Sequence, residues 1–418
     1  MSTHTDEMAF NSGDMVSETL SATGASTRHK PRKVLFLGTH GQANVGDELL
    51  LETFLTELGP GNAYAVNSYD PVATADQLGD RFDVTVFNTG SDRVGLLRNL
   101  LRCNVVVFGG GNILKELYHS VGRWKYSTLT MVLAVVLLAR LAAKPVLMAN
   151  VGIGPVESAT GRLLVKAILR LVWLISVRDE GSFRFAESVG CSPHKLLLVP
   201  DAVWVCDPDS LGSQPLPASG VQDPPLRIAV NLNKDVDVAD EWDLFLDRLV
   251  AALSAVADAR PVEFHALPMQ CGFKEGTDLD VLEEVLGRLD APVRIHAPAD
   301  HQEVASIIAG CDLVISERLH AIILSVVLGC PVVALPYDVK VRELVAQLGM
   351  EDRSFDVSGN LQSEALAAAI LRTVDGSGSE RERMAVVAAA KRREAASSFT
   401  ALRSWVAAPV RSWGPHNA

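Results

Sequence analysis

Short apolar runs alternate with longer stretches in which apolar positions recur every three or four residues. The first run, KVLFLG at 33–38, is unbroken and ends in a loop of glycine and asparagine. Further unbroken runs fall at 84–88, 105–108, 145–150, 174–177 and 196–199. A strand with both faces covered reads this way, because neither set of alternate side chains meets water. Residues 47–58 follow the first run with helical spacing, so the pattern predicts a parallel sheet wrapped by helices.

A stretch rich in proline, serine and glycine interrupts this rhythm before residue 226 and marks a linker over 208–225. The rhythm then restarts. Strand candidates lie at 227–232, 262–267, 293–295, 313–316 and 331–335, with helical stretches at 279–289 and 303–309. Two such arrays predict an α/β protein of two Rossmann-like domains facing a cleft. The expected organisation is a disordered tail at 1–31, a first domain at 32–207, the linker, a second domain at 226–375, and a C-terminal helix and tail at 376–418. Residues 380–407 read as one long helix, expected from the fold type to pack back on the first domain.

Composition narrows the function classes. A net charge of -12 over 418 residues disfavours non-specific nucleic-acid binding, although it leaves room for a local basic pocket. The six cysteines (Cys103, Cys191, Cys206, Cys271, Cys311, Cys330) lack zinc-ligand spacing and read as buried thiols in a reducing compartment. Residues 1–31 lack the apolar core of a signal peptide, which points to a cytoplasmic protein. The longest apolar stretch, 131–149, is broken by Arg140, Lys144 and Pro145 and falls short of a ~20-residue span. It reads as a buried helix and then a buried strand.

Five motifs sit where open α/β sheets bind ligands, at strand ends leading into helices. In GTHGQANVGDE at 38–48, Asn44 and Asp47 either meet a ligand or cap the helix. The GGGN turn at 109–112 exposes backbone to the cleft or simply turns the chain, and Asn112 is placed to bond sugar hydroxyls. Arg178, after the run at 174–177, suits a carboxylate or phosphate, or an ion pair with an acid. The fourth motif, SERLHA at 316–321, is the most specific. Arg318 and His320 put a fixed cation and a titratable acid/base at a helix start, which fits a phosphorylated substrate, the alternative being a packed or capping histidine. In PYDVK at 336–340, Lys340 lies near His320 if the sheet is parallel, or is solvated. Arg162, Lys166 and Arg170 recur every fourth residue on a leucine-rich helix, as a solvated face or a contact for an anionic membrane surface.

From about residue 33 to 349 the chain resembles the polysaccharide pyruvyl transferases. The resemblance is carried by NVGDE at 44–48, GGGN, VGIGP at 151–155, SVRD at 176–179, VPDA at 199–202, and ERLHA with the following GCPVVALPYDVKV. It is loosest at 267–278. It implies a GT-B-like fold, phosphoenolpyruvate as donor and a ketal-linked pyruvate on a saccharide as product. It assigns donor binding to Arg178, Arg318, Leu319 and His320, and we add Lys340. Asn44, Asp47 and Asn112 are the acceptor-side candidates. His320, Arg318 and Asp47 are the catalytic candidates, with His320 as general acid and Asp47 orienting or deprotonating an acceptor hydroxyl. No metal or cofactor is expected, phosphoenolpyruvate being a co-substrate. The acceptor is a saccharide, free or lipid-linked, and in the lipid-linked case the protein works at the inner face of the membrane. The competing expectations are a GT-B glycosyltransferase with a nucleotide-sugar donor and a non-catalytic saccharide-binding homologue.

Overall fold

The computed structural model describes residues 31–117, 124–212, 224–233, 241–272 and 277–408. The tail at 1–30, most of the linker (213–223), residues 273–276 of the 267–278 loop, and 409–418 lie outside the described residues. The first domain opens with β1 (Lys33–Leu37), whose unbroken apolar run is shared between two cores. Val34 and Phe36 face one, and Leu35 and Leu37 face the other. There follow α1 (Val45–Leu58), β2 (Ala63–Ser68), α2 (Pro71–Leu78), β3 (Asp83–Asn88), α3 (Arg93–Arg102) and β4 (Val105–Gly109). After them come α4 (Ser127–Leu141), β5 (Val146–Val151), α5 (Ala159–Leu171), β6 (Leu174–Val177), α6 (Glu180–Ser188) and β7 (Leu196–Leu198). The seven strands pair in parallel in the order β3-β2-β1-β4-β5-β6-β7.

Two features depart from the pattern in the sequence. β2 does not stand out as an apolar run, because AYAVNS mixes small and polar residues. Its buried polar end is satisfied internally: Asn67 bonds both backbone groups of Gly38, and Ser68 bonds Thr74. α4 is not buried throughout. Its inner face (Leu129, Val132, Val136) packs on the sheet, while Met131, Leu137, Leu138 and Leu141 are exposed.

The second domain contains β8 (Leu226–Asn231), α7 (Trp242–Ala259), β9 (Val262–Ala266), α8 (Asp278–Leu286), β10 (Val293–Ile295) and α9 (His301–Ala309). It continues with β11 (Leu313–Ser316), α10 (Leu319–Val327), β12 (Val332–Ala334), α11 (Val339–Leu348) and α12 (Ser363–Asp375). Its five strands are parallel in the order β10-β9-β8-β11-β12. Each sheet therefore reverses strand order once, between β1 and β4 in the first and between β8 and β11 in the second. These are the switch points at which such sheets bind ligands. One apolar core runs through both domains and joins Phe54 of α1 to Ile322 of α10 and Leu344 of α11.

The last helix, α13 (Ser377–Ala407), begins a turn earlier than its sequence pattern suggests and returns to the first domain. Phe399 meets Phe54 edge-on at 5.2 Å, and Arg403 pairs with Glu57 at 2.8 Å. Arg32 donates to the carbonyls of Ala407 and Ala408. Of the cysteines, Cys103, Cys206, Cys311 and Cys330 are buried and Cys191 is half-buried. Cys271 is exposed, against expectation, because its loop runs along the cleft rim.

Candidate active site

At the first switch point, the loop after β1 is held by its own polar groups. The Asn44 side chain accepts from the backbone N–H groups of Gly46 and Asp47, so it caps α1. Asp47 accepts the Thr39 hydroxyl at 3.0 Å. Glu48 accepts the Gly41 N–H at 2.6 Å, and burial pushes its carboxyl up to about 7. His40 is buried against the Phe36 ring, its nitrogens without hydrogen bonds, and burial lowers its pKa to about 4. It is therefore neutral. After β4, Gly110 and Gly111 take left-handed conformations (φ 64° and 69°), and a side chain at Gly109 would strike Phe36. The three glycines are thus required by the turn itself. Asn112 donates to the Gly154 carbonyl at 2.6 Å, which leaves its own buried carbonyl oxygen unpartnered.

The second switch point is a lattice of buried side chains. Ser316 donates to Asn231 at 2.9 Å, and Asn231 in turn donates to the Leu267 carbonyl at 2.9 Å. Arg318 donates to Asn233 and to Asp278. The other oxygen of Asp278 accepts from the N–H groups of Met269 and Gln270. Glu317 is fully buried and neither carboxyl oxygen has a hydrogen-bond partner. Burial raises its pKa well above the carboxylate range despite the neighbouring Arg318, favouring the neutral acid.

The two halves meet directly. The Val45 N–H donates to the Met269 carbonyl, and Gln270 donates to the Gln42 carbonyl. His320, in the first turn of α10, lies against the first turn of α1. A Cβ at Gly46 would fall 2.0 Å from His320 Nδ1. On its other side, His320 Nε2 is 3.4 Å from Arg178 Nη1 and 3.7 Å from Asp201 Oδ2. Arg178 donates to Asp201 at 2.7 Å. Burial works against the Asp201 charge, but Arg178 and His320 outweigh it and hold the carboxyl below its ordinary range.

Arg178, Leu319 and Lys340 line one small void of about 20 Å³, with Asp201, Glu343 and Trp204 in its walls. Lys340 has no hydrogen bond or ion pair among the described residues, and its amine points toward Gly152 and Asn112. Burial, helped by Arg178, lowers its pKa from 10.5 to about 8. The structure therefore brings Arg178, Leu319 and Lys340 together on the void, with His320 against Arg178 and with Asn112 beside Gly152, as is the Lys340 amine. Arg318 is turned toward Asp278 and Asn233. Asp201, Asp278 and Glu317 carry much of the site's electrostatics and were not singled out by sequence. Asp201 stands inside VPDA, and Glu317 directly precedes Arg318, so adjacency to the cationic motifs was the available signal.

Solved structures share the architecture. HepE of Anabaena in complex with UDP-glucose aligns with a TM-score of 0.59 at 14% identity, covering 90% of this chain and 98% of that one. A putative UDP-N-acetylglucosamine 2-epimerase from Listeria monocytogenes aligns at 0.56 and 10% identity, covering 85% and 91%. At such identities these similarities concern the fold, which is GT-B-like: two Rossmann-like domains about a cleft. In sequence, the amylovoran biosynthesis protein AmsJ of Erwinia amylovora is 22% identical over 283 residues, 64% of this chain. The chain spans 65% of that relative's length. The profile for polysaccharide pyruvyl transferase matches residues 44–339, taking in the first-domain cap, Arg178, the Arg318–His320 triplet and the start of α11; the chain belongs to the polysaccharide pyruvyl transferase family.

Proposed function

We propose that this protein transfers pyruvate from phosphoenolpyruvate to two hydroxyls of a saccharide, forming a ketal and releasing phosphate. The observation that carries the reading is the convergence of Arg178 and Lys340 from the two domains on one small pocket, with the His320 ring 3.4 Å from Arg178. Two fixed or nearly fixed cations beside an acid/base suit a small donor that bears a carboxylate and a phosphate. Arg178 and Lys340 hold the donor's anionic groups, while Arg318 is held by Asp278 and Asn233 in the second domain. A proton goes to C3 of the donor, its C2 becomes electron-poor, and one acceptor hydroxyl adds there. The second hydroxyl then displaces phosphate at C2, and each hydroxyl gives up its proton. His320 supplies a proton to C3 or to the departing phosphate, and Asp47 orients or accepts from the acceptor hydroxyl. The sequence of steps calls on no cofactor.

A void of 20 Å³ holds little more than a water. Donor entry therefore requires the domains to part, as hinged two-domain proteins do around ligands. The acceptor is a saccharide, free or lipid-linked, and a lipid-linked one places the enzyme at the inner face of the membrane. Incubation with phosphoenolpyruvate and surface-polysaccharide fragments tests the reading. Phosphate should be released only when acceptor is present, and the saccharide should gain the mass of pyruvate less water. His320→Ala should abolish both. Thermal stabilisation by UDP-sugars but not by phosphoenolpyruvate would overturn the reading in favour of a nucleotide-sugar donor.

A further inference from the structure

The first domain has an outer face unlike the rest of the molecule. α3, α4 and α5 all pack on the same side of the sheet, through Leu100, Val136 and Ile168 among others. Their opposite sides look outward together. On α3 the outward positions are Val94, Leu97 and Leu101, a helical stripe of apolar side chains left exposed. On α4 they are Met131, Leu137, Leu138 and Leu141, and on α5 Leu163. These eight make up more than half of the fifteen large apolar side chains exposed among the described residues, and Trp124, just before α4, is a ninth. Scattered exposed leucines need no explanation, but a concentration on one face does.

Charge on the same helices is equally one-sided. α3 carries Arg93, Arg98 and Arg102, α4 carries Arg140, and α5 carries Arg162, Lys166 and Arg170. The three helices hold no Asp or Glu, in a chain whose net charge is -12. Two of the cations are engaged with rings: Arg140 lies over Trp173 and Arg162 over Phe185. The others in α3 and α5 have no ion pair among the described residues. Apolar stripes flanked by unpaired cations fit a surface that offers both hydrocarbon and negative charge.

We infer that the outer face of α3, α4 and α5 docks on an anionic lipid bilayer. A second copy fits this face poorly, because a two-fold contact would set seven cations against seven with no acid between them. A nucleic acid would answer the charge and leave the leucines in water. The placement also serves the site. Each helix leaves the carboxyl end of its strand, so all three begin at the edge of the sheet that borders the cleft. Tyr126 and Ser158, joined by a 2.9 Å hydrogen bond, hold the starts of α4 and α5 together there. A docked molecule would have its cleft at membrane level. The inference rests on this surface and not on the identity of the donor.

Co-sedimentation of the full chain with vesicles tests it. Vesicles containing one part in three phosphatidylglycerol should bind the protein at low salt, and binding should fall as salt is raised. Pure phosphatidylcholine vesicles should bind at least tenfold more weakly. The exposed Arg98, Arg102 and Arg170 each contribute about fivefold near such a surface. The combined Arg98→Glu, Arg102→Glu and Arg170→Glu variant should therefore lose at least tenfold, with an unchanged circular dichroism spectrum. Leu97→Ser with Leu138→Ser should weaken binding without changing its salt dependence. Equal binding to neutral vesicles, no binding to either, or an unaffected charge-reversal variant would overturn the inference. So would a dimer in light scattering that the leucine variant dissolves, which would assign the face to a second copy.

Discussion

At the first sheet's switch point the working surface is mostly backbone: three glycines, two of them left-handed, and a helix start capped by Asn44. At the second it is side chain: Ser316 bonds Asn231 and Arg318 bonds Asp278, around a buried Glu317 whose carboxyl is unpartnered. The topology is the same, so the difference reflects what each must do. Glycine-rich backbone leaves the surface there without side chains and open to close approach. A buried charged lattice holds a cation in place before the ligand arrives, so little reorganisation is needed when negative charge binds. The first half is open and the second preorganised.

The largest effect should come from breaking the lattice. Asp278→Ala strips the partner from the mostly buried Arg318 and leaves two backbone N–H groups unmet. A loss of about 3–5 kcal/mol in denaturant unfolding is expected. Asp47→Ala in the first half, where one threonine hydroxyl is lost, should cost only about 1 kcal/mol. Equal losses would erase the contrast between the halves.

Gly46→Ala tests the seam between them. Alanine is the better helix former, which offsets part of the overpacking at this buried seam, so a loss of about 1–3 kcal/mol is expected. Its methyl also displaces His320, and acceptor-dependent phosphate release should fall about a hundredfold. Retained turnover would show that His320 need not sit against α1.

A smaller effect follows from Lys340. Its folded pKa, about 8, lies below the ordinary 10.5, so its charge is lost as pH rises through 8. Between those values the unfolded chain binds more protons, and this group alone makes stability rise with pH. Donor affinity should move the opposite way, falling about tenfold from pH 7 to 9 as the amine is neutralised. Lys340→Arg should flatten that fall, measured by titration with phosphoenolpyruvate.

The same contrast governs how much of the molecule was legible in the sequence. Strands buried on both faces announce themselves as unbroken runs, and eleven of the twelve strands coincide with strand candidates read from the sequence. β2 does not, because its burial is achieved through Asn67 and Ser68 bonding locally. Arg178 and His320 were legible as separate strand-end residues. Their 3.4 Å approach was not, since it depends on how two domains dock across 142 positions of sequence. The unmet carboxyl of Glu317 was invisible for a related reason: a glutamate beside an arginine reads as a surface pair until burial is known. The outer face of α4 was hidden too, because an apolar helix reads the same whether leucines line one side or both.

The path of α13 has a further consequence, for the order of assembly. Because this helix leaves the second domain and covers Phe54 of α1, the second domain is in effect an insertion within the first. As the chain emerges from the ribosome, residues through Asp375 complete the second domain's sheet and helices. The first domain, begun earlier, keeps part of its apolar surface open until Phe399 and Leu402 arrive. The part of the protein made first is thus the last to close.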